Sequence, residues 1–395
     1  MQRLAVVVLG VLVIVASLVG VSTPVPDPDA SASPRTPTAG DHLAEADAAM
    51  ESGDYAAAID SIDAALELEP GMAIAFLIRG DAHAALGELA RAVTDYGRAI
   101  ELTPQLFDAY ARRGEIYFNL GRYRSAIRDF DRALELDPDQ PGVIANRGAA
   151  YNQLGDWERA IDDFDAALKL DDELGTAYYN RATAHFNLEQ WRKAANDYAS
   201  AIELGTSPGL AHYARAIALV KLGEHEEAIA DYDVAIERRV QPALSHYNRG
   251  NAYFALEDYE AAIADYDAAI ELDPQLASAY LSRGVAHTQL DQLDLALADY
   301  DRAIDLEPDL TEAYLSRGDA HYELEEYEAA ITDYSAAIEL DPQLAAAYYN
   351  RALAYARIGD LDAVLLDLGR ALELATDPTL RGQIEALLQE IESLR

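Results

Sequence analysis

Histidine, aspartate, glutamate and arginine are the residues through which this chain could do acid–base, metal or ion-pair chemistry, and their spacing separates those uses. Of the eight histidines, none lies three or four residues from another, the offset that sets two imidazoles on one helix face for a metal. The 70 carboxylates make many pairs, but the same pairs return along the chain. A general acid–base site needs one pair set apart from its surroundings. Cysteine is absent, which removes a thiol nucleophile, a disulfide and lipid attachment through sulfur. No glycine-rich phosphate loop, nucleophile elbow or zinc-protease motif occurs. The expectation is a chain that is not an enzyme, with no cofactor, no metal site and no small-molecule substrate.

Arginine and aspartate are arranged more strictly. Arg79, Arg113, Arg147, Arg181, Arg215, Arg249, Arg283, Arg317 and Arg351 recur every 34 residues. Asp95, Asp129, Asp163, Asp197, Asp231, Asp265, Asp299, Asp333 and Asp367 each follow one of them by sixteen. One step earlier both are missing together, with Glu45 and Ser61 in their places. Joint absence predicts structural ion pairs inside each 34-residue segment, for instance Arg147 with Asp163. A guanidinium array reading a ligand carboxylate is the alternative.

The same step governs the whole middle of the chain. Ten copies run without insertion or deletion over 39–72, 73–106, 107–140, 141–174, 175–208, 209–242, 243–276, 277–310, 311–344 and 345–378. Column eight is Gly or Ala, column twenty is Ala until Val364, and column twenty-seven is Ala throughout. In the third copy Tyr110, Gly114, Tyr117 and Leu120 recur at helical spacing, Gly121-Arg122 interrupts, and Tyr123, Ala126, Ile127, Phe130, Ala133 and Leu134 resume it. Pro138 closes the second run, since proline cannot continue a helix. Each copy therefore reads as two short antiparallel helices, brought close where Gly114 meets Ala126 and Ala133. One hairpin cannot bury both faces, so neighbours must stack. Copies four to six depart, with Asp172, Thr206 and Val240 where copies one to three and seven to nine have Pro. The histidines fall in columns four, eleven and seventeen, where other copies carry Tyr110, Tyr117 or Trp157, and read as packing residues.

A 34-residue period with small residues at these columns and Pro in the closing turn resembles the tetratricopeptide repeat (TPR) family over residues 39–378. The resemblance implies an all-α fold, an α-solenoid wound as a right-handed superhelix, and a partner held on its concave side. Residues 379–395, with Leu380, Ile384, Leu387, Leu388, Ile391 and Leu394 on one face, read as a capping helix.

In the family, columns five, six, nine, twelve and thirteen face inward. There the chain carries Asn146, Tyr179, Asn180, Phe186, Tyr213, Tyr247, Asn248, Asn251, Phe254, Tyr349 and Asn350. Asn can bond both N–H and C=O of an extended backbone, and Tyr supplies contact area at low entropic cost. This resembles the asparagine ladder of O-linked glycosyltransferase repeats, and an accessory domain of such an enzyme system is the remotest reading. The family's carboxylate clamp needs inward Lys, and Lys221 alone qualifies. The expected function is a non-enzymatic protein–protein interaction scaffold, gripping an extended segment of another protein in an envelope-associated assembly. The alternative is a structural spacer whose Asn and Tyr merely serve the stack. These inward residues are expected to stand clear of the hairpin core.

Residues 1–22 contain an uncharged run, Leu4 to Val21, behind Arg3. Eighteen residues at about 1.5 Å each just span a hydrocarbon core of about 30 Å, so the segment reads as a signal peptide or an uncleaved transmembrane helix. Arg3 before it and Asp27 and Asp29 after it place the repeats outside the cytoplasm, membrane-anchored or secreted. Residues 23–38, rich in Pro, Ser, Thr and Asp, read as a disordered linker. A net charge of −40 argues against nucleic acid and anionic lipid headgroups as partners. It fits a self-repelling soluble array, adaptation to high salt, or a basic protein partner.

Overall fold

The computed structural model describes residues 36–393, all helix and connecting turn. The predicted membrane or signal segment, and residues 23–35 of the linker, lie outside the described residues. Among those described, no helix is long and apolar enough to cross a membrane.

The chain forms two compact units, the first ending at Ala211 and the second beginning at His212. The first holds the hairpins α1/α2 (Ala39–Ser52, Tyr55–Leu68), α3/α4 (Ala73–Ala85, Leu89–Leu102), α5/α6 (Phe107–Asn119, Tyr123–Leu136), α7/α8 (Pro141–Leu154, Trp157–Leu170) and α9/α10 (Gly175–Asn187, Trp191–Glu203). Helix α11 (Pro208–Leu222) contains the division. The second unit continues with α12 (His225–Glu237), then α13/α14 (Pro242–Ala255, Tyr259–Leu272), α15/α16 (Ala277–Gln289, Leu293–Leu306), α17/α18 (Thr311–Glu323, Tyr327–Leu340) and α19/α20 (Ala345–Ile358, Leu361–Leu374). Helix α21 (Pro378–Ser393) buries Ile384 and Ile391 among Val364, Leu368 and Ala371. Within each unit, every hairpin packs on the next, the stacking expected of a helical solenoid.

The tight hairpin has a cause besides the one expected from sequence. A Cβ on Gly114 would lie 2.6 Å from the ring of Phe130, and one on Gly250 would meet both the Tyr266 ring and, at 3.2 Å, the C=O of Ala262 at column twenty. Gly80, Gly284 and Gly318 meet Tyr96, Tyr300 and Tyr334 in the same way. In these copies column eight is glycine where column twenty-four drives a buried ring under it. The turn between the two helices needs a left-handed residue at column fifteen. Gly53, Gly87, Gly121, Gly155, Gly223 and Gly359 supply it, but Glu189, Glu257, Asp291 and Glu325 adopt it too, at φ of 58–62°.

The divergent closing turns also have a structural reading. Helix α10 stops at Glu203, Gly205 turns left-handed, and Thr206 N–H bonds back to Ala201 C=O. A Cβ on Gly175 would lie 2.1 Å from Thr206 Oγ1, so this turn seats against the start of α9. Pro208 and Pro242 then open the following helices, one residue ahead of the 34-residue register.

Candidate functional site

The nine arginines run through the hairpins as staples. Each directs Nε and Nη2 at the two oxygens of the Asp sixteen residues later, in the second helix of its own copy, at 2.5–2.9 Å. All nine aspartates are buried. The remaining nitrogen reaches backward. Nη1 of Arg79, Arg147, Arg181 and Arg317 meets Asp63, Asp131, Asp165 and Asp301 of the preceding hairpin at 2.5–2.7 Å, and Arg249 and Arg283 meet Asp233 and Asp267 likewise. Arg351 finds Ser335 Oγ at 2.9 Å. An aromatic ring at column four (Phe76, Tyr110, Tyr178, Tyr280, Tyr314 or Tyr348) covers the guanidinium at 5.2–5.9 Å. Arg79, Arg181, Arg283 and Arg317 thus have carboxylates at two edges and a π-face above, and at Arg147 the Asp163 bond holds the pKa above its usual value.

Histidines attach to this lattice. Nδ1 of His212 and His246 lies 2.6 and 2.8 Å from Asp231 and Asp265, the same carboxylates that Arg215 and Arg249 hold. His83, His185, His287 and His321 bond instead to Glu88, Gln190, Gln292 and Glu326, where the second helix begins. Among the described residues no group of three or more His, Asp or Glu could hold a metal ion.

The inward columns are less open than their sequence suggested. Asn146, Tyr179, Asn180 and Tyr213 are buried, and this corrects the expectation that such side chains stand clear of the core. The physical reason is aromatic stacking inside the hairpin. Tyr179 meets Tyr198 edge-on at 5.5 Å and Tyr213 meets Tyr232 at 6.1 Å, while half-buried Tyr247 tilts over Tyr266 at 6.0 Å. Phe186 and Phe254 stack on Trp191 and Tyr259, the first residues of α10 and α14.

Several amides have internal partners. Asn146 Nδ2 donates to Glu115 at 3.3 Å, Asn350 Nδ2 to Asp319 at 2.9 Å, and Asn248 Nδ2 to the Tyr213 hydroxyl at 3.3 Å. Asn251 Oδ1 accepts from the Tyr266 hydroxyl at 2.8 Å. Tyr349 and Asn350 remain half-buried on α19.

Two features of this face escaped sequence reasoning. Asn152 is buried, donates from Nδ2 to Asn180 C=O at 2.8 Å, and leaves its Oδ1 without a partner. Its signal was an amide in column twelve, where other copies carry Phe118, Phe186, Phe254 or Tyr322. Second, column nine carries acids. Asp81 accepts from the Tyr96 hydroxyl at 2.8 Å and pairs with Arg112 at 2.9 Å, yet burial holds its pKa above the usual carboxylate range. Burial does the same to Asp319. It pushes Glu115 up to about 7, with Arg112 opposing and Asp81 reinforcing the rise.

Comparison with known proteins bears on the repeat. Family models described as TPR repeat match residues 250–291, 286–325 and 318–359. Models described as tetratricopeptide repeat match 43–107 and 179–242, 107–140, and 140–207. Among curated proteins there is no match. Of solved structures, the C-terminal part of a TPR repeat-containing protein from Cytophaga hutchinsonii is 18% identical, covers 61% of this chain and 98% of its own, and has a TM-score of 0.52, a likeness of fold. YrrB, titled a TPR protein with an unusual peptide-binding site, is 26% identical over 47% of this chain and 95% of its own, at a TM-score of 0.44. The Cut9–Hcn1 assembly is 13% identical over 88% and 96%, at 0.46.

Proposed function

Because this chain belongs to the tetratricopeptide repeat family, we propose that it is a non-catalytic scaffold holding an extended segment of another protein along the inward columns of its first helices. The carrying observation is the pinned amides. In the second unit Asn248 and Asn350, both half-buried, each have Nδ2 tied to a neighbouring copy, which fixes the carboxamide plane. Each Oδ1 is then oriented in advance to accept a backbone N–H, and orientation fixed before binding lowers the entropic cost of association. Half-buried Tyr247, Phe254 and Tyr349 supply apolar surface beside them. Buried Tyr213, bonded to Asn248, acts beneath this surface as its support.

A photo-crosslinking residue at position 248 or 350 should capture the partner, whereas one at exposed Glu260 should not. Asn248→Ala should then weaken binding by about 1–3 kcal/mol in isothermal titration. Capture from position 260 with none from the inward positions would replace this reading with an outer-surface contact.

The uncharged run behind Arg3 supports a further proposal, that the repeats lie outside the cytoplasm, tethered by residues 1–22 or released when that segment is cleaved.

A further inference from the structure

The copies serve as controls for one another, and the staple at Arg113 stands apart. In six copies the backward-reaching Nη1 holds an Asp from the preceding hairpin. Ala199 and Ser335 occupy that column before Arg215 and Arg351. At Arg113 the column is Gly97, and a Cβ built there would lie 3.6 Å from Nη1. Among the described residues the only carboxylate bridging Arg113 is Asp129, on its other edge. The guanidinium is oriented by its bidentate pair with Asp129, with Tyr110 and Tyr117 each 5.9 Å from its carbon.

Gly97 needs explaining on its own account. It sits inside α4, where glycine costs about 1 kcal/mol relative to alanine. Nothing crowds it, since the Arg113 contact is ordinary van der Waals distance. No close approach or left-handed backbone requires glycine here, unlike Gly114 or Gly121. The missing side chain leaves an opening in front of an oriented cationic N–H. The corresponding aspartates are roughly half exposed, so the position is reachable from solvent.

We propose that the Gly97 notch is a binding site for a carboxylate from outside the chain, an Asp or Glu side chain of a protein partner, seated on Arg113 Nη1. The internal template sets the chemistry: the group in this place in six other copies is an aspartate donated by a neighbouring helix. The site is separate from the inward columns and stands whether or not those hold a peptide.

Acetate is the probe, followed through 15N guanidinium signals of the whole chain. Arg113 should give a saturable shift, while Arg147, filled by Asp131, and Arg351, met by Ser335, shift little. Gly97→Asp should abolish the Arg113 response by filling the notch from within. Gly97→Ala should weaken it, since the added methyl would stand 3.6 Å from Nη1. Asp131→Gly should create a second responsive guanidinium at Arg147. A linear, non-saturating shift shared by all nine arginines would overturn the proposal. So would an Arg113 response that persists in Gly97→Asp. Tighter binding of inorganic phosphate than of acetate would reassign the notch to oxyanions other than carboxylate and equally defeat it.

Discussion

Glu115 shows how much a single residue's surroundings decide. Its carboxyl faces Arg112 and Asp81 and accepts from Asn146, but burial dominates and pushes its pKa from 4.5 up to about 7. A folded-state pKa above the unfolded one means that the protonated form favours the fold. That stability is fully present below pH 4.5 and is lost as pH rises through about 7. Glu115→Gln keeps an acceptor for Asn146 and cannot ionise. It should match wild type near pH 4.5 and be more stable by roughly 1–3 kcal/mol at pH 8, read by urea unfolding at the two pH values. A variant equally stable with wild type at both would show that Glu115 ionises without penalty. None of this was legible in the sequence, where Glu115 is one acid among 70. The Arg and Asp columns were legible because a fixed sixteen-residue offset brings both into one hairpin. The backward Asp63, Asp131 and Asp165 were missed because Gly97, Ala199 and Ser335 interrupt their column.

At the scale of the helix pair, the column-fifteen turn is the weak position. Glu189, Glu257, Asp291 and Glu325 hold a left-handed backbone that costs a side-chain-bearing residue about 1–2 kcal/mol. Glycine returns part of this in the unfolded chain, where it has more freedom to lose. Glu257→Gly should therefore raise stability by about 1 kcal/mol, seen as a higher denaturant midpoint at unchanged slope. Gly121→Glu, the reverse change, should lower it by a similar amount. The helices themselves were readable from periodicity. The depth of Tyr179 and Tyr213 was not, because stacking on Tyr198 and Tyr232 depends on how two helices face each other. A column shared with exposed family positions says which way a residue points, but not what closes over it.

For the whole molecule, charge and tether set the expectations. Seventy acids against thirty bases leave a large surplus even after the staples are paired. The topology proposed from Leu4–Val21 is checked by adding protease to intact spheroplasts. Rapid digestion of the repeats is expected, and protection until lysis would place them on the inner side of the membrane. The family and the all-helical architecture were legible because each copy repeats the evidence of the last. Partner and location have no such redundancy, since a groove is written once.

The staple has one more consequence. An interior hairpin with its column-twenty-five Asp carries one arginine, the aspartate for its own use, and a second aspartate offered to the hairpin that follows. The first copy offers Asp63 but has no such arginine, and the last has Gly369 where the offered acid would stand. Such interior copies are thus interchangeable cassettes bounded by two distinct terminators. Duplication of a whole 34-residue segment of this kind would leave no orphaned charge at the seam, and neither would its loss where the preceding copy also carries the column-twenty-five Asp. The array could thus lengthen by whole copies of this kind with every new ion matched.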